Sequence, residues 1–209
     1  TPPHFVSWPR LPGFKTMLIC LLLEMRDTPT TMYHEPLVQL TNQLLRCTHL
    51  HSHLVRIVFT KTSVHDVCAI ATALNLLGSW MTSLAMRFVA DALRSSSEFE
   101  SAPVSQPLLR STFDFNFLFE GFGTLFASEH SQVLLKSIEF LYRHWDLMPE
   151  AQADNLRREI LRGPYWKLQL HWSPPVRKFF AHLLVFRLRR PCGWSASPLE
   201  GVPPPAAAL

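Results

Sequence analysis

Apolar residues recur every three or four positions through most of this chain, the period of α-helices that bury one stripe. The pattern is strongest from Phe113 to Arg190. Asp114 is placed to cap a helix, and Phe115, Leu118, Phe119, Phe122, Leu125 and Phe126 follow at helical spacing. Ser128 is placed to cap a second, whose stripe is Val133, Leu134, Ser137, Ile138, Leu141, Tyr142 and Trp145 and which stops before Pro149. Pro149 predicts the first turn of a third helix, because its fixed φ fits there and its missing N–H has no partner to lose. Leu156, Ile160 and Leu161 give that helix a narrow apolar side, and Gly163-Pro164 ends it. After a short apolar piece, Tyr165 to Leu170, Ser173-Pro174 opens Val176, Phe179, Phe180, Leu183, Leu184, Phe186 and Leu188. Connections this short make neighbouring helices antiparallel, as in a bundle or a solenoid. No fixed-period repeat is present. The echo of His144-Trp145 in His171-Trp172 reads as large side chains packing at helix ends.

The first half follows the same logic. Pro2, Pro3, Pro9 and Pro12 predict an irregular start, and Phe14 to Met25 is apolar nearly all round, which suits a buried helix too short to span a bilayer. Pro36 opens a helix with Leu37, Leu40, Leu44, Leu45 and Leu50 on one side. Ser63 and Asp66 have the spacing of a capping box and start a helical region reaching Arg94. No charge occurs between Asp66 and Arg87, long enough for a membrane span, but Thr72, Asn75, Gly78, Ser79, Thr82 and Ser83 dilute the run and favour packing inside a domain. Gly78-Ser79 predicts a kink or a break, after which Leu84, Phe88, Val89, Ala92 and Leu93 face the core. The predicted organisation is an irregular segment over 1–12, a helical region over 13–94, a flexible Ser/Glu/Pro linker over 95–107, a core helical region over 108–190 and a disordered proline-rich tail over 191–209.

The runs Phe115 to Phe122, Ser128 to Lys136, Phe140-Leu141-Tyr142 with His144-Trp145-Asp146, Leu170 to Arg177 and His182 to Arg187 resemble an uncharacterised domain of large, mainly fungal proteins that carries only an "unknown function" label. Some of its members are described as membrane proteins. The resemblance covers roughly residues 110–190 and implies an armadillo-like all-α region of a larger parent chain, with no catalytic residues to carry over.

Composition narrows the class. With 47% hydrophobic and 17% charged residues there is ample material for a core, so the chain is not natively disordered. Thr1 in place of Met reads as a fragment. Cys20, Cys47, Cys68 and Cys192 lie far apart, three of them in apolar helical context, which reads as reduced thiols in an intracellular compartment. The net charge of +4 is unevenly spread. Arg157, Arg158, Arg162, Lys167, Arg177, Lys178, Arg187, Arg189 and Arg190 face only Glu159 within 157–190. They form a candidate face for an anionic partner, with Arg177, Arg187 and Arg190 expected on the outside. Nucleic acid suits this face least, because the aromatics fall on the apolar stripe and no nucleic-acid motif is present.

Chemistry is sparse. His49, His51 and His53 alternate and would diverge on a helix, and His65 with Cys68 makes only one pair at i, i+3, so they read as exposed histidines rather than a metal site. No phosphate loop, nucleophile elbow or H-E-x-x-H occurs. The reading is a non-catalytic helical scaffold of a larger intracellular protein, cytoplasmic or at the cytoplasmic face of a membrane, without metal or cofactor and working through protein contacts. Its alternative places 67–86 in a bilayer and the basic face on anionic lipid.

Overall fold

In the computed structural model, which describes residues 12–45, 50–95 and 114–188, regular structure is helical and no strand occurs among the described residues. The α-helices are α1 (Phe14–Asp27), α2 (Glu35–Leu44), α3 (His51–Lys61), α4 (Val67–Ser95), α5 (Phe115–Ala127), α6 (Ser131–His144), α7 (Glu150–Arg162), α8 (Tyr165–Gln169) and α9 (Pro174–Leu183). Short 3₁₀ turns cover Thr30–Met32 and Trp145–Leu147, and a π-helical turn, Leu184–Leu188, continues α9. The expectations for the linker and the tail lie outside the described residues, as do nearly all of 1–12 and the side chains of Leu84, Phe88, Val89, Ala92 and Leu93.

Local capping explains where the helices begin. Asp114 caps α5 as expected, its carboxylate accepting from Phe117 N–H at 3.1 Å. The same carboxylate pairs with Arg56 on α3, and the Asp114 N–H donates to Ser52 Oγ at 3.1 Å. One residue therefore starts α5 and ties it to α3. The Arg56 guanidinium, with the Phe117 N–H second, holds the Asp114 carboxyl below its ordinary range. Two cap expectations are corrected. The cap of α6 is His130, whose Nδ1 accepts from Gln132 N–H, while Ser128 only accepts from His130 N–H one turn earlier. Ahead of α4 the Ser63 box does not form: Asp66 caps alone, accepting from Ala69 N–H at 2.9 Å.

Helix α6 is the centre of the packing, touching α4, α5 and α9, with Leu134, Ile138 and Leu141 essentially inaccessible. Phe122 of α5 meets Phe140 of α6 at 5.4 Å between ring centroids. Helix α4 lies against α2, α3, the Thr30–Met32 turn and α6, burying Leu74, Leu77, Trp80 and Met81. Helices before and after residues 96–113 thus share one core. No helix among the described residues is long and apolar enough to cross a membrane.

The expected break at Gly78 does not occur: α4 is continuous from Val67 to Ser95. A Cβ there would stand 2.9 Å from His144 Nε2, and one at Gly121 would stand 2.9 Å from the Phe59 ring. These glycines let helices approach closely. The fully buried α1 is also corrected. Leu21 and Met25 are buried, but Met17, Ile19 and Leu23 are exposed, because α3 covers only one side of the helix. Cys20 and Cys68 are exposed free thiols, and Cys47 and Cys192 lie outside the described residues.

Lys61, the last residue of α3, closes the end of α1. Its ammonium donates to the carbonyls of Met25 and Thr28 and to the Tyr33 hydroxyl, and sits 4.1 Å from the centroid of the Tyr33 ring. Burial lowers Lys61 from 10.5 to about 8 and raises Tyr33 above its ordinary value. Between about pH 8 and pH 10.5 the unfolded chain then binds more protons at Lys61 than the folded one, so stability rises with pH across that window. Tyr33 opposes this rise above the ordinary tyrosine value of 10.0, because it ionises first in the unfolded chain, and beyond pH 10.5 its falling contribution is the one that remains. Thermal melts across this range are expected to show the rise in the wild type and not in Lys61→Met; parallel curves would remove Lys61 as the cause.

Candidate functional site

The cations of the predicted basic face separate into two groups. Arg157 pairs with Asp154 at 2.5 Å along α7. Lys167 on α8 reaches Glu129 at 2.9 Å and the Ala127 carbonyl at 2.8 Å, clamping α8 to the end of α5. Arg187 in the π-helical turn donates through Nη1 to Asp146 at 2.6 Å and through Nε to the Tyr142 carbonyl at 3.1 Å, with its guanidinium 5.2 Å from the Tyr142 ring centroid. Its side chain is 20% exposed, which corrects the expectation of an outer position. The acids that balance these three cations, Asp154, Glu129 and Asp146, precede residue 157 and so fall outside the window in which the skew was counted.

The second group faces outward. Arg158, Arg162 and Lys178 are exposed, on helix faces opposite the buried Ala153, Leu156 and Ile160 of α7 and the buried Val176, Phe180 and Leu183 of α9. Arg177 is exposed too, and its Nη1 donates to the carbonyls of His171 at 2.6 Å and Trp172 at 3.0 Å, so no carboxylate offsets its charge there. Arg189 and Arg190 lie outside the described residues.

Between these cations lies a surface that the pattern reading missed. In α8, Leu168 is buried, which turns Trp166 and Leu170 outward, 68% and 73% exposed. Trp172 follows in the turn at 72% exposed, so the His-Trp echo fails: Trp145 is buried and Trp172 is not. His171 is buried instead, its Nδ1 accepting from Ser173 N–H at 3.1 Å. Phe179 and Phe186, expected in the core, are 46% and 48% exposed. The signal in the sequence was the shortness of α8: a helix of one and a half turns that carries Tyr165, Trp166 and Leu168, with Leu170 at its end, cannot bury all four on one side.

A groove of about 480 Å³ with a mixed polar and apolar lining runs between α4 and α6. Glu139 lies in it between Lys136 at 3.0 Å and Arg143 at 2.6 Å, near His144. Burial against Gly78, and then the Arg143 charge, lower the His144 imidazole below its ordinary value and favour the neutral ring. The carboxylate is held by two cations along one helix, an arrangement that fixes side chains on α6.

The histidine cluster does not assemble into a ligand set. His51 is buried and its Nε2–H donates to the Leu45 carbonyl at 2.5 Å, which corrects its expected exposure. His53, His65 and Cys68 are exposed, and His49 lies outside the described residues. Among the described residues no three His, Cys, Asp or Glu side chains come close enough to hold a metal ion.

Residues 51–188 match the model of a family described as "Protein of unknown function (DUF1765)". A UPF0592 membrane protein of Schizosaccharomyces pombe is 30% identical over 77 residues, covering 36% of this chain and 9% of the yeast protein. The match therefore spans less than a tenth of that relative's length. No solved structure matches.

Proposed function

The chain belongs to this family of unknown function, and from that premise we propose that it is a non-catalytic, armadillo-like helical scaffold segment of a larger intracellular protein, acting through protein contacts. The observation that carries the reading is how the ionisable side chains are spent. Arg56 with Asp114, Lys61 with the end of α1, Lys167 with Glu129 and Arg187 with Asp146 each join separate elements of the chain. The packing of α6 against α4 on one side and α9 on the other is compatible with a layered array.

A second reading, attachment to a membrane surface, is favoured by the name of the yeast relative, a membrane protein. Burial of α4 against its neighbours supports attachment from outside the bilayer over insertion of 67–86.

The scaffold reading is tested in cells whose own copy of the full-length protein is replaced by Glu139→Gln or His144→Asn. Both are expected to sustain growth and to retain the co-purifying proteins of the wild type. Loss of function in either variant, with fold and co-purifying proteins unchanged, would indicate chemistry in the α4–α6 groove and contradict the scaffold.

A further inference from the structure

We propose that the outward edge formed by α7, α8 and α9 is a docking surface for an anionic lipid bilayer, with Trp166, Leu170 and Trp172 entering the headgroup region and Arg158, Arg162 and Lys178 meeting its phosphates and carboxylates. This rests on the second reading above and names the residues that perform the attachment.

Three observations converge on it. With Met86, Trp166, Leu170 and Trp172 are the most exposed large apolar side chains of the described residues, and these three fall close together in α8 and the turn after it rather than scattered. Two of the three are tryptophan, whose flat ring and single N–H suit the boundary between water and acyl chains. The cations stand on the elements that flank them: α8 packs on α7 and on α9, and all three helices contribute buried residues to the same core. Arg177 adds a fourth positive charge at the base of Trp172, bonded to that residue's carbonyl and offset there by no carboxylate. From 150 to 183 the acids are Glu150, Asp154, which pairs with Arg157, and Glu159, against six cations, so the edge keeps a positive balance and is complementary to a negative surface.

The pairing of apolar tips with cations distinguishes this edge from the other exposed apolar surface, the α1 face of Met17, Ile19 and Leu23. There the neighbouring charges include Glu24 and Asp27, and Arg26 is spent on Asp27 at 2.7 Å. A protein partner could use either surface; an anionic bilayer matches only the α7–α9 edge.

The test is co-sedimentation of the complete 209-residue chain with vesicles of phosphatidylcholine mixed with phosphatidylserine, and of phosphatidylcholine alone. The wild type is expected to bind the mixed vesicles and to be released by salt. Replacing Arg158, Arg162 and Lys178 by Ala together is expected to weaken binding on the order of a hundredfold, at about fivefold for each cation near the surface. Trp166→Ala with Trp172→Ala is expected to abolish penetration, read as quenching of tryptophan emission by brominated acyl chains. Because all five side chains are exposed, melting curves of both variants should overlay the wild type. Binding to the mixed vesicles that neither variant changes would overturn the assignment of the edge while leaving membrane attachment standing. A wild type that stays in the supernatant with both vesicle types would overturn the edge and the membrane reading together, without bearing on the scaffold.

Discussion

Truncating Phe180 to alanine is expected to destabilise the domain by about 3–5 kcal/mol, the cost of removing a large ring from a site that cannot collapse around the void. Phe180 has no accessible surface, lies on the face of α9 that meets α6, and packs edge-on against Tyr165 of α8 at 5.9 Å. Its loss therefore loosens α8 and α9 at the same time. Urea unfolding followed by circular dichroism measures the change, and Phe179→Ala is the matched control. Phe179 is 46% exposed one position away, and its truncation should cost far less. Equal effects of the two would mean that α9 is rotated about its axis relative to the packing described here.

Reversing Arg187 to glutamate is the second large effect. The wild-type guanidinium makes charge-assisted bonds to both Asp146 oxygens, at 2.8 and 2.6 Å, and one to the Tyr142 carbonyl. Hydrogen bonds to charged groups contribute about 1.5–3 kcal/mol each when well enclosed, and Asp146, at 69% exposed, discounts the ion pair itself. The bond to the Tyr142 carbonyl and the new repulsion between two carboxylates remain, so a loss of about 1.5–3 kcal/mol is expected. Arg158→Glu on the outward face should stay within about 0.5 kcal/mol of the wild type. A silent Arg187→Glu would return Arg187 to the solvated surface where charge counting first placed it.

These two residues also mark the limits of what the chain discloses. Helical period located the core well where a helix has one clear stripe: in α5, Phe115, Leu118, Phe122, Leu125 and Phe126 are buried as the spacing predicts, and Phe119 of the same stripe is half-buried. The period misleads where apolar residues outnumber the positions one face can offer. Helix α9 seats Val176, Phe180 and Leu183 against the core, so Phe179 and Phe186 spill outward beside them. In α1 the apolar surplus is left on the side α3 does not cover.

Charge was legible only locally. An excess of cations is visible by counting, but Arg187 and Asp146 are 41 residues apart, and a pairing across that distance depends on which helices meet. The glycines behaved in the same way. Gly78 weakens a helix in any local reading, yet its role depends on His144 arriving from α6 to fill the missing side chain's place. The candidate docking edge was half visible: its cations stood out in the sequence, while Trp166 and Trp172 looked like core until the fold turned them outward.

Native-state hydrogen exchange of the complete chain tests most directly the claim that one core organised on α6 holds both halves together. The amides of α4, α6 and α9 are expected to share a single opening free energy, near that of global unfolding, because α4 and α9 are each packed against α6. Exchange in which the 67–81 amides of α4 open independently, at much lower free energy than those of α6, would contradict the shared core and return α4 to the status of a segment awaiting another environment.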